Sequence, residues 1–438
     1  MSPLISSCFL FAYLYISSSL FFDIVHFLLH QWLTSKFKAL RWLAQCHQFH
    51  HLYYNRSLNF NPRYRRQNAW IALPLEAACL CIGGLLGWFF LLQLAVVERK
   101  DIQHKALIAV LAVHLIRTSV VIYMSGRDSN HVVYKSVPKD PSWLFVGPQF
   151  HALHHVHPDR YMGSVIKLFD WAAGTACSVR NQNVVITGGS GALGSAIVRR
   201  LRSEGVRNIY PLKFGEHWTH GDFSRVGSVL DELEPDILIL AHGTKGNDAM
   251  DANCTSTIRL IQLYLERRAS RDRASATKTL PEIWYVGSEI ELHPAFGGAE
   301  MHRYLASKRT FLPYARALYD DPRVLYRHIV PAAFQSPMGK AIVSADWAAA
   351  VMMWWIRRGA RYVPVTYTGF AYLNFFKFIW WYRILVKGSC GQGPSSAPDR
   401  SGIGRPANAL GLRHREMSCP LSLAAYFWFG QTHWNIEP

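Results

Sequence analysis

Residues 183–205 read NVVITGGSGALGSAIVRRLRSEG. An apolar, β-branched run comes first, then a glycine-rich turn, then a stretch with helical spacing. Glycines in such a turn let the backbone approach a pyrophosphate, and the helix that follows offers N–H donors and the positive end of its dipole. Thr187, Gly188, Gly191 and Gly194 are therefore candidate cofactor-binding positions. Further strand-like runs follow at 236–240 (DILIL), 283–287 (IWYVG) and 325–330 (LYRHIV), with helical patterns between them. Buried strands alternating with helices predict a doubly wound parallel sheet, an α/β Rossmann-like domain over 180–365.

The texture is different on either side. The chain has 438 residues, 50% apolar and 13% aromatic, with a net charge of +18 but only 17% charged residues. Ordinary globular chains carry ~25% charged residues, so this composition points to a partly membrane-embedded protein and excludes disorder as the main state. Three runs are apolar enough to span a bilayer: 4–22, 70–97 and 106–124, the last two joined by the charged loop ERKDIQHK. The basic excess forms no regular stripe, so no nucleic-acid partner is expected. Lys36, Lys38, Arg41, Arg56, Arg63, Arg65 and Arg66 lie between the first two spans, and the positive-inside rule puts that loop in the cytosol. Spans two and three then form a hairpin, which returns everything after Met124 to the same side. Residues 366–386 read as an aromatic interfacial or membrane-anchoring helix, and 387–438 as a disordered tail. The eight cysteines are scattered, with no disulfide ladder or CxxC pattern, which favours a reducing compartment.

Histidine is concentrated in the first 157 residues, which hold twelve of the twenty. His26 and His30 are spaced HxxxH; His47, His50 and His51 form HxxHH; His151, His154 and His155 form HxxHH again. On a helix these spacings put the imidazoles of one box on one face. Neutral imidazole ligates iron, copper, nickel or zinc, and eight clustered histidines exceed one ion's capacity, so two metals are expected. The first hundred residues hold only Asp23, Glu76 and Glu98 as acids, unlike a carboxylate-bridged bundle, and HExxH is absent. The topology brings all three boxes to one membrane face. His131 is an open case between a further ligand and an ordinary core histidine, whereas His104, His114 and His157 read as structural.

In the α/β half, Tyr304 and Lys308 are four apart and share a helix face. A nearby ammonium is expected to lower the tyrosine's pKa toward acid/base duty. Ser288 ends a strand, where it polarises a carbonyl, and Asn253 lies on the preceding helix. The second strand, 208–215 (NIYPLKFG), carries Lys213 at its end where an NAD-preferring fold carries an acid, so NADP(H) is expected over NAD(H). Asp222 is expected to end a third strand near the adenine.

HFLLH, HQFHH and HALHH match the histidine boxes of the fatty acid hydroxylase/sterol desaturase superfamily, and 168–175 (LFDWAAGT) looks like the motif that closes that domain. The resemblance covers about residues 5–177. It implies an α-helical integral-membrane domain (1–178) that binds two Fe per chain through the eight box histidines. It also implies a non-haem di-iron oxygenase that takes O2 and electrons from an external donor such as a cytochrome b5 or reductase, and acts on a lipid-like substrate. HVHPDRYMGS departs from that family's frequent Asn-Tyr-Gly after box three, which bears on the substrate class. Residues 180–365 resemble short-chain dehydrogenase/reductases, with Asn253, Ser288, Tyr304 and Lys308 at the catalytic positions. Ala241-His242-Gly243 and Pro331-Ala332 depart from the usual Asn-Ala-Gly and Pro-Gly. The whole chain, with GSEIELHPAFGG, YLASKR and VSADWAAAV, resembles bifunctional sterol desaturase/short-chain dehydrogenase proteins.

The resulting expectation is a multidomain membrane oxidoreductase, located in the endoplasmic reticulum with both catalytic domains facing the cytosol. One domain hydroxylates or desaturates a hydrophobic lipid, sterol or terpenoid-like molecule, and the other interconverts an alcohol and a carbonyl. Its rivals are aldehyde deformylation or another C–C cleavage at the metal site, and a non-catalytic nucleotide-binding scaffold.

Overall fold

The computed structural model describes residues 3–93, 100–135, 137–274, 280–292 and 297–381. The chain divides into two compact units, one mainly 1–179 and the other mainly 180–269 and 281–352. The expected tail at 387–438 lies outside the described residues.

The first unit is helical. It comprises α1 (Pro3–Trp32), α2 (Lys38–Tyr53), a one-turn α3 (Arg65–Gln67), α4 (Leu73–Gln93), α5 (Lys100–Tyr123), α6 (Pro148–Val156) and α7 (Leu168–Ala173). Three stretches are long and apolar enough to cross a membrane: Ile5–Trp32, Pro62–Gln93 and His104–Tyr123, with mean hydropathy 1.8 to 2.0. Two details depart from the sequence reading. α1 continues ten residues beyond the expected end of span one, so His26 and His30 sit in the spanning helix itself. α5 begins at Lys100, six residues before the expected start of the third span.

Between apolar helices, small residues permit close backbone approach. α4 supplies it with a glycine face. A Cβ added at Gly83 would fall 2.6 Å from Phe21 Cβ, and one at Gly87 would fall 2.7 Å from Ser17 Cβ. Small residues on α4 therefore seat α1.

The second unit is a six-stranded parallel sheet in the order β2-β1-β3-β4-β5-β6. Its strands are β1 (Asn183–Thr187), β2 (Asn208–Leu212), β3 (Ile237–Leu240), β4 (Glu282–Val286), β5 (Leu325–Pro331) and β6 (Tyr362–Val365). The connecting helices are α8 (Ala192–Ser203), α9 (Ser224–Leu233), α10 (Ser256–Ala274), α11 (Ala299–Asp320) and α12 (Ala345–Arg357). Right-handed crossovers in a sheet whose order reverses at β1 put α8 on one face and α9, α10 and α11 on the other. The core bears this out: Val226 and Leu230 of α9, Leu260 and Tyr264 of α10, and Phe311 and Leu312 of α11 pack in one cluster with Leu238, Ile283 and Tyr326 of the sheet. This is the doubly wound Rossmann-like architecture.

One expectation needs correction here. No strand forms before Asp222. After β2 the chain instead turns through an isolated bridge between Phe214 and Trp218, and exposed Asp222 caps Ser224 N–H at 2.8 Å. The run 213–222 is short and mostly polar, and of its residues only Trp218 is buried in the core. The aromatic segment at 366–386, expected as an interfacial or anchoring helix, is described as far as residue 381. It forms α13 (Phe370–Phe376) and a π-helical turn (Lys377–Trp381), and its inner face, with Ala371, Asn374 and Phe378, is buried. Its outer face leaves Phe370, Leu373, Phe376 and Trp380 exposed.

Phe311 is fully buried against Tyr285. Phe311→Ala should destabilise the second unit by about 3–5 kcal/mol. Native-state hydrogen exchange of the β3 and β4 amides measures this, and protection equal to wild type would contradict the packing assignment.

Candidate functional site

The three boxes converge in the first unit. His26 and His30 come from α1, His47, His50 and His51 from α2, and His151, His154 and His155 from α6. They sort into two groups. His26, His30, His47, His51 and His154 form one, and His50, His131, His151 and His155 the other, with ligand atoms in each group within 4.8 Å of one another. The groups abut through His51 and His155, whose rings lie 4.5 Å apart. His131, the open case, belongs to the second group: its Nε2 is 3.0 Å from that of His151. A helical spacing rule could not find it, because it stands alone in a loop.

The donor set decides whether a metal fits. The Nδ1–H of His154 donates to Arg160 O at 2.8 Å, that of His26 to Met162 O at 3.3 Å, and that of His131 to Asp128 Oδ1 at 2.7 Å. Each anchor puts the ring's lone pair on Nε2. Yet the Nε2 atoms face one another: His154 lies 3.2 Å from both His30 and His51, and His26 lies 3.3 Å from His30. Where both rings of such a pair carry the proton on Nδ1, the facing lone pairs repel unless a cation sits between them. Protonation is the costly alternative. Burial, and after it the charge of neighbouring imidazoles, holds His47, His51, His151, His154 and His155 well below the usual histidine range, and His50 is pulled down to about 3. Neutral, pre-aimed imidazoles in two groups fit two transition-metal ions.

The closing motif LFDWAAGT explains part of this geometry. Asp170 is fully buried and accepts the N–H groups of Met162 at 2.9 Å and Gly163 at 2.7 Å, which fixes the carbonyl that orients His26. Asp23 does the same for Ser164 N–H at 2.9 Å. Sequence reasoning assigned neither acid a role. A cavity of about 40 Å³ adjoins both groups, lined by His26, His47, His50, His131 and His151 and, from the apolar helices, by Glu76, Arg117 and Thr118.

In the second unit the glycine loop lies at the C-terminal end of β1, beside the strand-order reversal. That crevice is where open α/β sheets bind ligands. Gly191 caps α8, and a Cβ at Gly194 would fall 1.9 Å from Gly188 O, so helix and loop touch backbone to backbone. The Thr187 hydroxyl is turned inward to His242 Nδ1 at 2.6 Å, and His242 Nε2–H donates to Ala252 O at 2.9 Å. The histidine that replaces the usual alanine thus ties the end of β1 to the turn carrying Asn253. Burial, then Lys308, pulls His242 down to about 3, which keeps it neutral.

Asn253 sits in a π-helical turn, Asp251–Thr255, that opens α10. Its amide is spent on Thr244 N–H at 2.9 Å, Thr244 O at 2.8 Å and Ser307 Oγ at 2.8 Å. Ser288 follows β4 beside Tyr304, which α11 presents together with Lys308. The Lys308 ammonium donates to Val286 O at 3.0 Å and stands 5.8 Å from the Tyr304 ring. The expected lowering of the tyrosine pKa is not found. Burial pushes Tyr304 up to about 12 against the Ser288 side chain, and the Glu291 charge adds to the rise. Lys308 itself is pulled down to about 8 by burial, against the carboxylate of Glu291. Lys213 follows β2, but it is 61% exposed and its ammonium pairs with Glu216 at 2.9 Å. An acid does stand near this strand end, three residues farther on than the sequence reading looked.

No family model matches the chain. It is 27% identical over 281 residues to a monoglucosyldiacylglycerol epimerase from Synechocystis sp.; the match spans 57% of this chain and 66% of that protein, just under two thirds of its length. Among solved structures it is similar to a short-chain dehydrogenase from Burkholderia cenocepacia in complex with NADP, at 15% identity, 48% of this chain, 99% of that one and TM-score 0.37. It is also similar to a short-chain dehydrogenase from Sphingobium yanoikuyae in complex with NADPH, at 19% identity, 50% of this chain, 99% of that one and TM-score 0.37.

The buried imidazoles set a pH dependence. Their folded-state pKa values lie below the ordinary 6.5, so the unfolded chain binds protons that the folded chain refuses. Metal-free protein should therefore lose stability as pH falls below 6.5, by up to about 1.4 kcal/mol per pH unit for each such histidine. Thermal unfolding of chelator-treated protein checks this; a midpoint that is flat from about pH 7 to 5 would contradict it.

Proposed function

We infer that the chain is a membrane-bound oxidoreductase with two active centres, and the observation that carries this is the convergence of lone pairs in the histidine groups. His26, His30, His47, His51 and His154 would hold one iron, and His50, His151 and His155, with His131, the other. Such an iron pair supplies the reductive activation of dioxygen needed to attack a C–H bond. The protein's part is to keep the imidazoles neutral, to orient them through Met162, Arg160 and Asp128, and to admit the reacting end of a hydrophobic substrate beside Glu76 and Arg117. Electrons come from an external donor such as a cytochrome b5 or reductase. The basic loop between the first two apolar helices supports a cytosolic face, as on the endoplasmic reticulum.

In the second unit, the glycine loop Gly188–Gly194 would carry a nicotinamide dinucleotide, which supplies or accepts a hydride. Ser288 orients the substrate oxygen, Tyr304 gives it or takes from it a proton, and the Lys308 cation steadies the tyrosine. The substrate is an alcohol/carbonyl pair on a lipid-like molecule. NADP(H) remains the favoured cofactor, since Lys213 would exchange Glu216 for a 2′-phosphate. Asn253 holds the turn at Thr244 and the site's floor at Ser307.

One observation favours a second reading of the same centre. The relative named for epimerising a glucosylated diacylglycerol points to inversion at one carbinol: oxidation to the ketone, then reduction from the other face, with no net use of cofactor. Lipid extracts from cells with and without the protein separate these readings. A change in oxygen or hydrogen count supports net oxidation, and a same-mass product of altered retention supports epimerisation.

In purified protein, His47→Ala or His154→Ala should lower bound iron from about two per chain while NADPH binding persists. Full iron in either variant would remove the histidine groups from the metal assignment. Tyr304→Phe should lower NADPH-dependent reduction of a hydrophobic diketone probe by about a hundredfold or more, with cofactor affinity held within about twofold.

A further inference from the structure

Behind Ser288 lies a buried carboxylate that the alcohol/carbonyl chemistry has not yet used. Glu291, on the short 3-10 helix after Ser288, is 1% exposed. Its Oε1 accepts the Ser288 N–H at 3.0 Å, and its Oε2 lies 2.9 Å from His328 Nε2. His328, on β5, is also 1% exposed and receives the Tyr326 hydroxyl on Nδ1 at 3.0 Å. Nε2–H donates to Oε2 and the Ser288 N–H to Oε1, so both carboxylate oxygens are occupied. Phe378 stacks on the imidazole at 4.7 Å and locks its plane. A Cβ at Gly287 would fall 2.1 Å from Oε1, so the carboxylate is wedged against the end of β4 itself.

We propose that Glu291 and His328 are a positioning pair for the Ser288–Tyr304–Lys308 site: the carboxylate holds the Ser288 backbone and faces the Lys308 ammonium with a fixed negative charge, and His328 fixes the carboxylate. The proposal rests on the alcohol/carbonyl reading above. Its chemistry is counter-charge. An ammonium in a dry site is unstable without an opposing charge, and Glu291 is the chief charge opposing the burial of Lys308. From the neighbouring elements, the groups facing Glu291 are Tyr304 and Lys308 of α11, Tyr285 of β4, Tyr326 and His328 of β5, and Tyr362 of β6. Lys308 also faces the Cys254 thiol and neutral His242.

The test uses the full chain in detergent, with NADPH and phenanthrenequinone as the probe pair, and reads kcat and KM against pH together with NADPH affinity by fluorescence. Without the counter-charge the Lys308 ammonium deprotonates sooner. Glu291→Gln should therefore move the alkaline limb of kcat to lower pH by about one unit and lower kcat about tenfold near pH 8, with KM and NADPH affinity within about twofold. His328→Leu, which frees the carboxylate, should move the limb in the same direction. His328→Gln, which keeps an N–H donor to Oε2, should leave the limb at its wild-type position. An unmoved limb in NADPH-competent Glu291→Gln overturns the proposal. If that variant fails to bind NADPH, the two His328 variants decide: the same limb in both overturns the pair, and a shift in His328→Leu alone supports it. Tyr304→Phe is the separate control; if it keeps the wild-type rate, the reading of the site fails rather than the pair.

Discussion

Nine imidazoles held with their ring nitrogens 3.0 to 3.4 Å apart impose the condition that shapes the first unit. Rings that close cannot all be protonated, and three of the nine have their outer nitrogen anchored, while the buried Nδ1 atoms of His51 and His155 have no partner among the described residues. The anchors are backbone carbonyls of Met162 and Arg160 and the carboxylate of Asp128. Those in turn require rigid loops, which is what the buried carboxylates of Asp170 and Asp23 supply. The polar groups of the closing motif are thus two hydrogen bonds away from the converging ring nitrogens, and they serve to aim them.

The second unit solves a different problem with similar means. A parallel sheet whose order reverses at β1 opens a crevice, and helix α8 reaches it only because Gly194 and Gly188 meet without side chains. Around that crevice the buried polar residues are joined in pairs: His242 with Thr187, Asn253 with Thr244, Glu291 with His328. Each bond links two segments distant in sequence, which converts loop ends into fixed positions.

The two centres differ in what burial does to their acids and bases. In the first unit burial makes histidine a better ligand by keeping it neutral. In the second it raises Tyr304 and lowers Lys308, driving apart two groups whose ordinary values nearly coincide. α13 and the turn after it show a further use of one segment for two ends. Phe378 packs on His328 within the sheet core, while Phe370, Phe376 and Trp380 stay exposed on the other side.

Local pattern was enough to read the strands at 183–187 and 325–330, the apolar helices and the three histidine boxes, because each depends on spacing within one element: two residues per pleat, or three to four per helical turn. Strand β6 went unread, being four residues long with a proline inside, and Asp222 was read into a strand that the sheet does not contain. What joined His131 to His151, Asp170 to the His26 anchor and Glu291 to His328 was tertiary. Those partners come from separate elements or from irregular turns, where no period relates them. Their proximity follows from how the helices and strands pack, and packing depends on the whole chain at once.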